Sequence, residues 1–308
     1  MLTDRLFDAV KAKRNPSILG LDTRFEYLPD ALRAQFDPDM PMQSAARLIG
    51  LFNRELMDKV ADLIPCVKLQ SAYYEMYGID GIQLLRDLVI EARNRGFIVI
   101  VDAKRNDIGE TARAYSSAYL GRTGFDGKAQ TAAFDADYLT VTPYLGEDGI
   151  KPFVEDCEAF DKGIFVLVKT SNPSSGQLQD LIVDKKPIFR HVMEMVDGFT
   201  GVQKGTYGYK NLGAVVGATY PKDGEALREA FPSIPFLVPG YGAQGARGED
   251  LALCFDQDGF GAIVNASRSL LCAHQKGSLH YADATRQAAL AMQTDLLGAL
   301  HAAGRLGF

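Results

Sequence analysis

Residues Phe97 to Thr111 read F-I-V-I-V-D-A-K-R-N-D-I-G-E-T. The run from 97 to 101 is continuously β-branched and aromatic, as in a strand covered on both faces. Asp102 and Lys104 follow two residues apart, and positions i and i+2 of a strand point to one side. A carboxylate and an ammonium are therefore expected to leave the strand's C-terminal end together, with Ala103 on the other face. Arg105 and Asn106 turn the chain, and a helix is expected from Ile108. Asp107 and Glu110 have the spacing of a capping box, an acidic N-cap with Glu three residues on. Charges placed straight after a buried strand are costly unless they interact or meet something charged. Two readings stay open at this point: a structural ion pair with a helix cap, or a reactive array.

Outward from this stretch, apolar runs alternate with helical patterns. Strands are predicted at 17–21, 64–69, 97–103, 138–142, 164–169, 213–217, 236–239 and 261–265. Amphipathic segments lie between them, among them 43–61, 80–95, 146–159, 187–203 and 222–231. Eight strand–helix alternations predict an α/β fold, a (β/α)8 TIM barrel. A chain of 308 residues, 47% of them hydrophobic, is ample for one such barrel. There is no repeat, low-complexity segment or linker, so residues 1–308 are expected to form a single domain. An insertion is expected near 121–137, before the fourth strand, and a closing helix near 281–303.

Composition removes several functional classes. No apolar run reaches membrane-spanning length. The start, M-L-T-D-R-L-F-D-A-V, reads as an amphipathic helix and not as a signal peptide. Cys66, Cys157, Cys254 and Cys272 show no paired spacing, which suggests reduced thiols and a cytoplasmic location. The net charge of −6 argues against a nucleic-acid surface. His191, His274, His280 and His301 form no ligand motif, so no metal site built on His or Cys is expected.

In a barrel of this kind the chemistry sits at the C-terminal ends of the strands. Those ends carry Asp22; Lys68 and Gln70; Asp102 and Lys104; Thr142 and Pro143; Lys169 to Pro173; Pro239 and Gly240; and Asn265 to Arg268. Charged and hydroxyl groups thus gather at one rim. After the seventh strand, Gly240, Gly242 and Gly245 match G-x-G-x-x-G. The dinucleotide meaning of that pattern needs an early strand and further βαβ units, and only one strand follows here. A phosphate site fits better, because barrels commonly build one from the loops after strands seven and eight. Glycines let backbone N–H groups approach an anion, Gln244 offers an amide, and Arg268 offers a guanidinium fork. The plain alternative is a glycine-rich turn with a surface arginine.

A barrel lysine has two principal uses. A Schiff-base nucleophile needs a neutral amine. Here Asp102 and Asp107 favour a charged ammonium at Lys104, which suits stabilising a carbanion and then protonating it. Lys68 on the adjacent strand extends the array by holding the carboxylates.

This constellation resembles the orotidine 5′-phosphate decarboxylase family. The family's D-x-K-x-x-D-I motif stands as Asp102, Lys104, Asp107 and Ile108, and its preceding lysine as Lys68 in V-K-L-Q-S-A-Y-Y-E. T-S-N-P at 170–173 and V-P-G-Y-G-A-Q-G at 238–245 resemble the longer, bacterial-type branch. The resemblance runs from about residue 17 to about 270, with its motifs in order. One departure is Ser267, where compact members often have Gly before the phosphate arginine. The resemblance implies decarboxylation of orotidine 5′-phosphate to uridine 5′-phosphate, in pyrimidine biosynthesis, without cofactor or metal. It implies that Asp22 binds a ribose hydroxyl, and that Lys68 contacts the ribose and orders the charges. Asp102 would lie near the substrate carboxylate, and Lys104 would stabilise the C6 carbanion and deliver the proton. Asp107, Ile108 and Thr111 would enter the partner's site in a homodimer with shared active sites. Ser171 would bind the pyrimidine, Pro239 and Gln244 would line the base and phosphate region, and Arg268 would hold the phosphate. Residues 171–186 and 240–248 would be the closing loops.

Three rivals are weighed against this. A metal-dependent sugar-phosphate decarboxylase or synthase of the same barrel superfamily needs a carboxylate near the end of strand two, where Lys68 and Gln70 stand. A Schiff-base aldolase is disfavoured by the lysine's neighbours. A barrel that only binds a nucleotide monophosphate would be signalled by a missing catalytic residue, and none is missing.

Overall fold

The barrel strands are β1 (Ser17–Gly20), β2 (Cys66–Gln70), β3 (Ile98–Arg105), β4 (Tyr138–Val141), β5 (Gly163–Lys169), β6 (Leu212–Val216), β7 (Phe236–Pro239) and β8 (Ala262–Ala266). The computed structural model describes residues 1–125, 129–199, 201–242 and 245–308. All eight strands pair in parallel and close on themselves in the order β1-β8-β7-β6-β5-β4-β3-β2. Each lies within about two residues of the stretch expected from its apolar run.

Strand alternation sorts the apolar residues into two layers. Leu19, Val67, Val99, Val101, Leu139 and Val264 face outward and pack under the helices. Ile18, Cys66, Ile100, Tyr138, Phe165 and Leu237 face the barrel interior. That is why the runs read as continuous: both faces are buried. The bottom of the interior is plugged by the N-terminal helix Leu2–Lys13, whose Leu2, Leu6 and Val10 recur at helical spacing. Its Phe7 lies 5.1 Å from the ring of Tyr209 and 5.6 Å from that of Phe260. With the bottom closed by apolar side chains, the open end for a polar ligand is the C-terminal rim.

The segment where an insertion is expected carries an antiparallel hairpin, Thr123–Phe125 with Ala129–Thr131. The closing helix runs Tyr281–Ala302. The segment 171–186 is built of short pieces: Pro173–Ser175, Gly176–Gln179, and a hairpin pairing Ile182–Val183 with Lys186–Pro187. The helix expected over 187–203 is Ile188–Asp197; Gly198 follows as its cap.

The capping box expected at Asp107 is not formed. The helix is Gly109–Tyr119 and its N-cap is Ile108, which has no side-chain acceptor. Gly109 has φ +53, and this turn moves the cap position past Asp107. The Asp107 carboxylate accepts instead from the N–H of Ile108, at 2.9 Å. Among the described residues, no helix is long and apolar enough to cross a membrane.

Candidate active site

The adjacent strands β1, β2 and β3 bring four charges into one line of alternating sign at the rim. Lys68 Nζ is 3.0 Å from Asp22 Oδ1 and 3.1 Å from Asp102 Oδ2. Lys104 Nζ is 2.7 Å from Asp102 Oδ1. Lys68 and Asp102 are buried, while the Lys104 side chain is 44% exposed at the mouth of the cavity.

Asp102 is saturated. Its Oδ1 accepts from Lys104 and from the Thr140 hydroxyl, at 2.7 and 2.8 Å. Its Oδ2 accepts from Lys68 and from the Gln70 amide, at 3.1 and 2.9 Å. Burial alone would push this carboxyl up. The charges of Lys68 and Lys104, with hydrogen bonds from Lys104 and Thr140, overcome it and hold Asp102 well below the usual carboxylate range. For Lys68, burial opposes the charge, and the carboxylates of Asp22 and Asp102 outweigh it, so its pKa is raised. Asp22 is held from the other side by the Ser267 hydroxyl, 2.8 Å from Oδ2, and Asn265 donates to that hydroxyl at 3.2 Å. Gly20 makes this approach possible: a Cβ there would stand 2.1 Å from Ser267 Oγ.

Asp102 and Lys104 do meet, but not by simple alternation along a strand. Lys104 has φ +50, in the left-handed region that non-glycine residues rarely enter. The pairing of β3 with β4 runs through Val101 and Leu139 and resumes only at Arg105 and Val141. The extra residues form a bulge, a device that re-aims a side chain beside an active site.

The rim cavity has two adjoining lobes that share Lys68, Asp102 and Pro239. One, of about 450 Å³, adds Lys104, Thr140, Ser171 and Gln179. The other, of about 350 Å³, adds Asp22, Gly240, Asn265, Ser267 and Arg268, with Tyr27 and Tyr73 at its edge. Both fall in the size range of small-molecule sites. Arg268 opens the short helix Arg268–Leu271 directly after β8. Gly240, Gly242 and Gly245 have φ of +114, +70 and +91, so the glycine pattern marks a turn that side-chain-bearing residues enter only with strain. Gln244 lies outside the described residues.

Two sets of expected rim residues stand elsewhere. Lys169 is fully buried away from the cavity: Nζ pairs with Asp180, lies 3.8 Å from Asp223, and sits 4.2 Å above the Tyr220 ring. A bulge between β5 and β6 at this point re-aims it. Asp107, Ile108 and Thr111 line neither lobe. Among the described residues Asp107 enters no salt bridge, and Ile108 is 54% exposed. Thr140, by contrast, was not among the sequence candidates. A threonine hydroxyl on the inward face of an otherwise hydrophobic and aromatic strand was the available signal. Gln70 shares the inward face of β2 with Lys68, and that spacing marked it.

Residues 51–277 match the model of the orotidine 5′-phosphate decarboxylase / HUMPS family. The orotidine 5′-phosphate decarboxylase of Caldicellulosiruptor bescii is 43% identical over 275 residues, 89% of this chain and 90% of that protein. That of Rhodopirellula baltica is 44% identical over 287 residues, 91% of this chain and 93% of that protein. The solved structure of Leishmania donovani OMP decarboxylase superposes with a TM-score of 0.74 at 28% identity, covering 97% of this chain and 99% of that one. A matched model over most of the barrel and relatives of this similarity along nearly the whole length lead to one conclusion: the chain belongs to the orotidine 5′-phosphate decarboxylase / HUMPS family.

Proposed function

We propose that this enzyme decarboxylates orotidine 5′-phosphate to uridine 5′-phosphate, a step of pyrimidine biosynthesis, with Lys104 as proton donor. The observation that carries this reading is the fixed line Asp22–Lys68–Asp102–Lys104, which ends in an ammonium at the cavity mouth. The bond from C6 to the carboxylate breaks, carbon dioxide leaves, and the electron pair stays on C6. The Lys104 ammonium stabilises that pair and then transfers a proton to it. Because Asp102 is already compensated by two cations and two neutral donors, its first task is to aim Lys104. Ground-state repulsion of the substrate carboxylate is not needed to explain its place.

Ser171 and Pro239 would hold the pyrimidine, Asp22 and Lys68 the ribose, and Arg268 with the Gly240–Gly242–Gly245 turn and Gln244 the phosphate. The lobes support this order, since Lys104 and Arg268 stand in different ones. Asp107, Ile108 and Thr111 are assigned to the neighbouring site of a two-fold homodimer; the exposure of Ile108 and Thr111 in one chain, with Asp107 half-buried beside them, supports it. The four cysteines are free and buried, which fits the reducing cytoplasm.

The test mixes the protein with orotidine 5′-phosphate and follows the pyrimidine absorbance, before and after exhaustive chelation. Turnover is expected in both cases. Loss of turnover on chelation, restored by magnesium, would replace this reading with that of the metal-dependent sugar-phosphate enzymes.

A further inference from the structure

Lys104 carries an unusual backbone. Among the described residues, six other than glycine have positive φ. Arg14 and Asp161 end helices, Asp184 and Lys185 turn a hairpin, and Asp135 lies in the segment where an insertion is expected. Lys104 alone sits inside a barrel strand. Its peptide groups do not rejoin the ladder where the β3–β4 register slips. The N–H donates to Thr140 Oγ1 at 2.9 Å, and the carbonyl accepts from the Thr142 hydroxyl at 3.3 Å. One hydroxyl of the neighbouring strand and one just past its end thus stand in for ladder partners.

Thr140 is the better placed of the two. It is fully buried, so solvent does not readily substitute for it. A hydroxyl has one proton. Since Oγ1 accepts the Lys104 N–H, that proton points to Asp102 Oδ1, 2.8 Å away. The same Oδ1 holds Lys104 Nζ at 2.7 Å. One hydroxyl therefore fixes the reactive lysine at both ends, its backbone directly and its ammonium through Asp102.

We propose that Thr140 is a positioning residue for decarboxylation, which holds Lys104 in the left-handed conformation that aims its ammonium at C6. The proposal rests on Lys104 being the proton donor. Without the hydroxyl, the Lys104 N–H loses its partner in a partly buried place, a state the chain relieves by relaxing. The side chain then moves, and a misplacement of about 1 Å costs on the order of a hundredfold in rate.

The experiment compares wild type, Thr140→Val and Thr140→Ser in two assays. One is steady-state decarboxylation of orotidine 5′-phosphate. The other is exchange of the C6 hydrogen of uridine 5′-phosphate with deuterium oxide, the reverse of proton delivery. In Thr140→Val, kcat should fall at least about tenfold while KM changes less than about twofold. Exchange should fall in parallel. Thr140→Ser keeps the hydroxyl and should stay within about threefold of wild type in both assays. A residue that only packs would lower the melting temperature without this split and without rescue by serine. Circular dichroism checks the fold, and Thr140→Ala takes the place of the valine variant if that one does not fold. A valine or alanine variant with near wild-type kcat overturns the assignment, and so does a serine variant as impaired as the valine one. Wild type that fails to decarboxylate the substrate overturns the functional reading together with the proposal.

Discussion

At the scale of single residues, Asp102 organises everything near it. Its lowered pKa has a definite consequence for stability. A carboxylate depressed in the folded state contributes stability that is full above its unfolded value, about 3.9, and is lost as pH falls through the folded value. Lys68, raised in the folded state, contributes fully below its unfolded value, about 10.4, and loses this only as pH rises through the folded value. The array therefore contributes a constant amount across neutral pH. Asp102→Asn leaves the buried Lys68 with Asp22 alone and should cost about 3–5 kcal/mol at pH 7. Urea unfolding of both proteins at a series of pH values checks this. The gap should narrow steadily below about pH 4, where the wild-type carboxyl of the unfolded chain takes up its proton. A gap unchanged between pH 7 and pH 3 would mean that lost packing, and not lost charge, destabilises the variant.

At the scale of elements, the turn after β7 shows why glycine recurs there. Gly242 has φ +70, and a Cβ on it would lie 3.3 Å from Ser269 Oγ. Its neighbour Tyr241 is tied to the closing helix, with its hydroxyl 2.9 Å from Asp295 Oδ2. The N–H of Gly248 reaches the same oxygen at 2.8 Å. The turn is thus anchored at both ends, and its curvature depends on its glycines. Gly242→Ala should cost about 1–2 kcal/mol of stability, the price of a left-handed alanine. If the turn binds phosphate, KM for orotidine 5′-phosphate should rise as well. A thermal melt and steady-state kinetics check both; a destabilised variant with unchanged KM would remove Gly242 from the phosphate site.

At the scale of the whole molecule, Asp107 offers a test of whether two chains make one site. It is no helix cap, and in its own chain it meets no cation among the described residues. Lys104→Ala and Asp107→Ala should each abolish turnover alone. If Asp107 serves the partner's site, a mixed dimer of the two variants has one site lacking both groups and one site with both intact. Random pairing of equal amounts makes about half the dimers mixed, so roughly a quarter of wild-type activity should return by two-fold symmetry. The chains must be refolded together or co-expressed. No recovery after verified exchange would place Asp107 outside the partner's site.

The sequence by itself determined the barrel, because strands buried on both faces must be written as unbroken apolar runs, and eight of them alternate with amphipathic helices. It also marked the four-charge line, since Asp22, Lys68, Asp102 and Lys104 stand at strand ends where apolar runs stop. Periodicity did not reveal the two bulges. One sets Lys104 in a left-handed conformation, and the other coincides with Lys169 turning away from the cavity, so position along a strand no longer gives direction there. Thr140 was passed over, and Ser267 was named at the rim without its contact to Asp22, for a different reason. Their roles lie in hydrogen bonds to residues 38 and 245 positions away; a helical crossover lays β4 beside β3, and closure of the barrel brings β8 beside β1. Local rules read what a residue does to its own strand; what it does to the next strand was decided by the tertiary structure, because strand neighbours in a barrel are distant in the chain.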